Sequence, residues 1–120
     1  MANVLLIDKT HDRIDVITLK DPIDLKELHQ FIVCDRFESI VVWIEEQKYR
    51  ILFDEDGRNK NDNRLSVYLV ENNTSIYGNA AVFREDGELN GLEEKDIEAI
   101  KRLIVRLPWI GEIIRIRSEL

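Results

Sequence analysis

Alternation of hydrophobic and polar side chains near the N-terminus predicts an antiparallel hairpin. Residues 4–7 are a continuous apolar run, and residues 13–19 alternate between apolar and polar side chains. The polar stretch 8–12 between them has the composition of a turn. The chain is therefore expected to open with two paired strands.

Two further hairpins are predicted in the middle of the chain. The runs 40–44 and 49–53 are rich in β-branched and aromatic residues and flank a polar turn. The very polar segment 58–64 is expected to be a loop. After it, the strand 65–70 is predicted to pair with a strand over 75–83.

Two helices are predicted from apolar residues at helical spacing. Asp24, followed three residues later by Glu27, suggests a capping box that opens a short helix. A longer helix is predicted over residues 93–107, with Pro108 ending it. The apolar stripe of this second helix consists of Ile97, Ile100, Leu103, Ile104 and Leu107.

The last segment and the chain length complete the predicted fold. In residues 109–117 isoleucines alternate with arginines, which fits either a last strand or a dimerising tail. The elements together predict an α+β fold, a mostly antiparallel sheet with two helices packed on one face. At 120 residues the chain has the length of one domain, so residues 1–120 are expected to form a single compact domain.

The charge of the chain is unevenly distributed. The net charge is −7, and the last twenty residues carry five basic against two acidic side chains. An acidic body repels a long phosphate backbone, so binding to duplex DNA or RNA is not expected. A small anion held between a few arginines is compatible with this distribution.

Residues with catalytic or metal-binding chemistry are sparse. Cys34 is the only cysteine, which excludes an internal disulfide and a multi-cysteine zinc site and suits a reducing cytosol. His11 and His29 stand far apart in the chain, so structural or surface roles are expected for both. Because no catalytic motif is present, neither an enzymatic activity nor a cofactor nor a metal is predicted.

The apolar N-terminus is interpreted as a strand. It has no basic region before the apolar run and no small-residue cleavage site, and no segment of the chain has the length needed to cross a bilayer. A cytoplasmic protein without a membrane partner is therefore expected.

Side chains suited to a nucleotide lie near the predicted strand and helix ends. They are Arg58, Phe83, Arg84, Asn90, Arg106 and Trp109. An aromatic ring can stack on a base, an amide can meet ribose hydroxyls, and a guanidinium can hold a phosphate with two donors. Each type also has an ordinary structural interpretation, such as a solvated arginine, a core phenylalanine or a turn asparagine. The spacing leaves both interpretations open.

The order of several short segments resembles a family of small proteins found in phages and mobile elements. The segments are FIVCDRFESIVV, YRILFDEDG, RLSVYL, IYGNAAVF and DGELNGLEEKDIEAI, which span roughly residues 31–100. Their marks are a Cys-Asp pair before a hairpin, a DEDG turn, a Gly-Asn pair before an apolar strand, and a leucine before an acidic helix start. Among phage proteins of this size and pattern, the chain is similar to the Thoeris anti-defence proteins that act as sponges.

This resemblance implies a protein that binds the cyclic ADP-ribose signal of bacterial TIR enzymes and sequesters it without cleaving it. It implies a homo-oligomer, a dimer or higher, with the ligand at subunit interfaces in the infected bacterial cell. By the same resemblance Arg58 would hold phosphate, Phe83 would stack on the base and Asn90 would meet the ribose. Arg106 would reach across from the partner subunit.

Two other functions are kept as hypotheses. One is an acidic phage protein that binds and inhibits a host protein directly, because an acidic body can dock on a basic surface. The other is a small hydrolase that acts on the same cyclic nucleotide signals.

Overall fold

The computed structural model describes residues 1–60 and 64–117. Within these ranges ten strands form two sheets, and three helical segments accompany them. The strands are β1 Ala2–Asp8, β2 Arg13–Leu19, β3 Phe37–Ile44, β4 Gln47–Asp54, β5 Leu65–Leu69, β6 Thr74–Tyr77, β7 Ala80–Glu85, β8 Leu89–Asn90, β9 Ile104–Leu107 and β10 Gly111–Ile116. The helical segments are two 3₁₀ helices, Leu25–Gln30 and Gly57–Asn59, and one α-helix, α1, Glu94–Lys101.

The two sheets differ in strand pairing. The larger sheet has the order β2-β1-β7-β4-β3, with β8 also paired to β7, and all of its pairings are antiparallel. The smaller sheet has the order β6-β5-β10-β9, in which β5 and β10 run parallel. The predicted hairpins β1–β2, β3–β4 and β5–β6 are confirmed.

The larger sheet is covered on both faces. Ile51 and Val82 point into a core shared with the smaller sheet and α1. Their neighbours Leu52 and Phe83 point to the other face, where the 3₁₀ helix Leu25–Gln30 covers them. Successive strand residues face opposite sides of the sheet. A strand whose residues are apolar on both sides must therefore be covered by other elements on both faces. The α+β class with mostly antiparallel strands is confirmed, and the two main helical segments lie on opposite faces of the large sheet rather than on one.

The prediction of a helix over residues 93–107 is wrong in its second half. The α-helix ends at Lys101, and residues Ile104–Leu107 form β9, which pairs with β10. Over this short stretch the same apolar positions fit the spacing of a helix and the alternation of a strand, so the sequence pattern did not distinguish the two structures. The β-branched residues Ile104 and Val105 lie opposite Ile114 and Ile113 of β10. This cross-strand pairing favours a strand over a helix in the segment.

The strand predicted over residues 75–83 is two strands in different sheets. β6 ends at Tyr77 in the smaller sheet, and β7 begins at Ala80 in the larger one. The chain crosses between the sheets at Gly78, whose φ of 85° lies in the left-handed region that glycine adopts without strain. Asn79 fixes the crossing, because its side chain accepts from the Lys9 amide and donates to the Phe31 carbonyl, both at 2.7 Å.

The remaining predicted elements are found with smaller changes. Asp24 caps the 3₁₀ helix and accepts from the Lys26 amide at 3.0 Å, while Glu27 accepts from the Lys20 amide instead of completing a capping box. The segment 109–117 contains a strand, which was one of its two predicted forms. The middle of the loop predicted over 58–64 lies outside the described residues. In the described part of the chain, no helix is long and apolar enough to cross a membrane.

Candidate functional site

Phe83 lies in the core of the protein. Its side chain has no exposed surface, and it packs in the apolar cluster that contains Leu6, Leu52 and Leu28. A ring buried on both sides has no free face for a base. Phe83 is therefore a packing residue in this structure, as the ordinary interpretation of the sequence had it.

Arg84 and Asn90 are neighbours across β7 and β8, and both are held by structural contacts. Arg84 is 15% exposed and forms ion pairs with Asp86, Glu93 and Asp96. Asn90 donates to the Glu88 carbonyl at 3.2 Å and lies opposite Arg84 in the strand register. With three carboxylates around it, Arg84 offers no net positive charge to a phosphate.

The same network ties β4 to α1. The Tyr49 hydroxyl donates to the Asp96 Oδ1 at 2.7 Å, and both groups are buried. Burial and this hydrogen bond raise the pKa of Tyr49 well above its usual value. The Asp96 Oδ2 accepts from the Glu93 amide at 2.7 Å, which closes the capping box of α1.

We expect Tyr49→Phe to reduce the free energy of unfolding by about 1–2 kcal/mol, since a buried hydrogen bond to a carboxylate is lost while Asp96 keeps its other donors. Urea denaturation of both proteins measures the difference. Tyr68→Phe is the matched control, because the Tyr68 hydroxyl meets Asn73 in an exposed contact. An equal loss in both variants would contradict the buried role of Tyr49.

The carboxylate of Glu85, at the end of β7, gives a pH dependence. Arg50 donates to Glu85 at 2.7 Å, and this hydrogen bond lowers the pKa of Glu85 below its usual 4.5, against an opposing effect of burial. As the pH falls below 4.5, the unfolded chain takes up the proton before the folded one. The stabilisation by Glu85 is thus complete above pH 4.5 and is lost at lower pH.

We therefore expect Glu85→Gln to flatten the fall in melting temperature on acidification below pH 4.5, although it lowers stability near neutral pH. Melting curves from neutral to acidic pH measure this. Glu88→Gln replaces an exposed carboxylate in the following turn and serves as the control. Parallel pH profiles for wild type and Glu85→Gln would count against the coupling to Arg50.

Arg58 lies in a concavity of about 310 Å³, called the Arg58 pocket, between β6 and the 3₁₀ helix Gly57–Asn59. Its guanidinium stands over the Tyr77 ring at 5.8 Å and donates to the Ser75 carbonyl at 3.2 Å. The other charged lining residues are Glu38, Asp54 and Glu55. Arg58 is thus in a concave site, but in an acidic one.

The His11 pocket, of about 470 Å³, lies between the β1–β2 turn and the end of the first 3₁₀ helix. The Asp8 carboxylate lies 2.8 Å from the His11 Nδ1. Burial raises the pKa of Asp8, but hydrogen bonds from His11 and from the Thr10 amide act against it, and the pKa is lowered overall. Arg13 is paired with Asp15 and Lys60 with Asp54 in the same lining. Each cationic group of this pocket is matched by its own carboxylate.

Arg106 and Trp109 do line one pocket, at the turn between β9 and β10. This Trp109 pocket, of about 440 Å³, is lined by Asp12, Arg64, Arg106, Leu107, Pro108, Trp109 and Gly111. Arg106 contacts the Asp12 carboxylate at 3.4 Å and the Glu112 carboxylate at 3.5 Å, and its side chain is 65% exposed. Both contacts are long and solvated, so they leave Arg106 donors available to another anion.

Trp109 stands at the tip of this hairpin. It is 97% exposed, and its φ of 68° lies in the left-handed region, which is uncommon for a bulky residue. A single exposed apolar side chain is ordinary, but tryptophan and arginine are both residue types enriched at the hot spots of binding interfaces. The turn presents a free aromatic face next to two guanidinium groups.

The three pockets differ in the charge of their lining residues. In the His11 pocket three aspartates oppose one arginine and one lysine, and in the Arg58 pocket three carboxylates oppose one arginine. In the lining of the Trp109 pocket two arginines oppose one aspartate, and the Glu112 carboxylate that contacts Arg106 is offset by the Lys9 ammonium, 3.7 Å from Asp12. A phosphate is repelled by the first two linings and attracted by the third. Of these pockets, the Trp109 pocket is the one that suits a nucleotide.

Sequence reasoning identified two of the charged or aromatic residues of this pocket and missed two. Arg106 and Trp109 were predicted, although Arg106 was placed at a helix end. Arg64 and Asp12 were not proposed as site residues, because nothing in their local sequence relates them to residues far along the chain. The structure leaves Arg58, Phe83, Arg84 and Asn90 outside the Trp109 pocket.

No family model matches the chain, and no curated protein or solved structure matches it significantly. The resemblance to the sponge proteins therefore stays a prediction from the sequence.

Proposed function

We propose that this protein binds a cyclic nucleotide immune signal, a cyclic ADP-ribose isomer, and sequesters it without cleavage. The observation that carries the proposal is the Trp109 pocket, where a fully exposed indole stands beside Arg64 and Arg106. The indole supplies a stacking face for the base, and the two guanidinium groups match the two phosphates of the ligand. Asp12 supplies an acceptor for ribose hydroxyls.

The ionisation of Asp12 supports this role. The hydrogen bond from the Glu112 amide lowers the pKa of Asp12, and Lys9 and Arg106 act in the same direction. A carboxylate that remains charged at neutral pH accepts hydrogen bonds from hydroxyls and repels a misplaced phosphate. The pocket thus distinguishes a sugar edge from a phosphate edge.

The proposal includes a homo-oligomer, a dimer or higher, in the cytoplasm of the infected cell, with the Trp109 hairpin near the subunit interface. An open pocket of one subunit covers only part of a ligand, and tight sequestration needs most of the ligand surface to be buried. A second copy of the chain over the hairpin would supply the missing wall. Light scattering at micromolar concentration should give at least twice the mass of one chain, 14.1 kDa.

One experiment separates this function from its alternatives. The purified protein is incubated with cyclic ADP-ribose and washed on a filter that retains the protein and passes the free ligand. The protein is then heated, and the released molecules are identified by mass spectrometry. Recovery of the intact ligand from the protein fraction supports a sponge. An altered product indicates a hydrolase. A ligand found only in the wash rejects sequestration of cyclic ADP-ribose and leaves direct binding of a host protein as the alternative to test.

A further inference from the structure

The turn between β1 and β2 forms hydrogen bonds with the β9–β10 hairpin, which carries Trp109. The Lys9 side chain is 4% exposed, and its Nζ donates to the Ile110 carbonyl at 3.0 Å and to the Glu112 carbonyl at 2.7 Å. These two carbonyls flank Gly111. A buried ammonium that holds both fixes the direction of the peptide units next to the Trp109 turn.

Asp12, whose Oδ1 lies 3.7 Å from the Lys9 Nζ, contacts the same segment at Gly111 and Glu112. Its Oδ1 accepts from the Glu112 amide at 3.1 Å. Gly111 has a φ of 90°, and a Cβ at this position would lie 2.0 Å from the same Oδ1. The absence of a side chain at Gly111 is therefore what lets Asp12 reach the strand.

The same turn also contacts both arginines of the Trp109 pocket. Arg64 donates to the Lys9 carbonyl at 3.1 Å, and Arg106 Nη1 lies 3.4 Å from the Asp12 Oδ2. The contacts of Lys9 and Asp12 with residues 110–112 are called the Lys9–Asp12 clamp. This clamp joins the larger sheet to the smaller one at the pocket.

We propose that Lys9 and Asp12 are positioning residues that preorganise the Trp109 pocket, an inference that rests on the proposed function for its consequence in ligand binding. Trp109 makes almost no packing contacts of its own, since nearly all of its surface is exposed. Its direction is set by the backbone of the turn, and the clamp holds that backbone. A preorganised side chain loses less conformational freedom when the ligand binds.

The test uses Trp43→Phe as the background, so that Trp109 is the remaining tryptophan. Time-resolved fluorescence anisotropy without ligand measures the motion of its ring. We expect Lys9→Met, Asp12→Ala and Gly111→Ala to increase this motion while the proteins stay folded. Titration of the Lys9→Met and Gly111→Ala proteins with cyclic ADP-ribose should then show roughly two- to tenfold weaker binding. Asp12→Ala is compared by anisotropy alone, because Asp12 also contacts the ligand in the proposed function.

Gly87→Ala is the matched control, because Gly87 also has a positive φ, 83°, but nothing lies within 4 Å of an added Cβ. It introduces the same kind of backbone strain without touching the clamp, and should leave the motion of Trp109 unchanged. Unchanged anisotropy in folded Asp12→Ala and Gly111→Ala would overturn the inference. If Lys9→Met fails to fold, these two variants decide the question.

The two proposals fail separately. If the wild-type protein does not bind cyclic ADP-ribose, the proposed function is wrong, and the anisotropy of Trp109 in the free protein still decides whether the clamp positions it. If the ligand binds but its affinity is the same in the Lys9→Met and Gly111→Ala proteins, positioning of the pocket by the clamp is rejected while the function stands.

Discussion

Phe83→Ala is expected to reduce the free energy of unfolding by about 3–5 kcal/mol, the cost of deleting a large aromatic side chain from a closed core. The ring has no exposed surface and packs between β1, β4 and the first 3₁₀ helix. Alanine would leave a cavity that the rigid sheet on one side cannot fill. Urea denaturation measures the change, with the midpoint expected to fall and the slope to be retained.

Val33→Ala is the control for this prediction, because Val33 is 83% exposed and its truncation should change stability by less than about 0.5 kcal/mol. A different result would support the base-stacking role that the resemblance implies for Phe83. A Phe83→Ala protein that keeps its stability but loses affinity for cyclic ADP-ribose would show that the ring is accessible to ligand.

Trp109→Ala is expected to weaken the binding of cyclic ADP-ribose roughly tenfold to a hundredfold, since stacking of a base on an aromatic ring contributes about 1–3 kcal/mol. Its effect on folding should be small, because the side chain is 97% exposed. The substitution is not expected to relieve strain in the left-handed backbone at this position, since alanine is disfavoured there as well. Calorimetric titration and a thermal melt of one preparation measure both effects.

Trp43→Phe is the matched control for Trp109→Ala, because Trp43 lies on β3 and lines none of the three pockets. Light scattering on the same samples tells whether Trp109 acts on the ligand or on assembly. Unchanged affinity in a folded Trp109→Ala protein of unchanged mass would remove the site proposed here.

Only part of the site was open to prediction from the sequence. Arg106 and Trp109 are three positions apart, so any structure for that segment keeps them near each other. Asp12 and Arg106 are 94 positions apart and meet only because the β1–β2 turn packs on the β9–β10 hairpin. Arg84 was a reasonable phosphate ligand by type, and its role was decided by the carboxylates that the fold placed around it.

The sequence by itself determined the α+β class and the three hairpins, because alternation with a period of two is a local property of the chain. Only the tertiary structure decided that residues 104–107 form a strand, since their apolar spacing fits a helix as well and the partner strand β10 settles it. It also decided which face each helical segment covers and that Phe83 is buried while Trp109 is exposed. Burial depends on what packs against a residue, and that partner lies elsewhere in the chain.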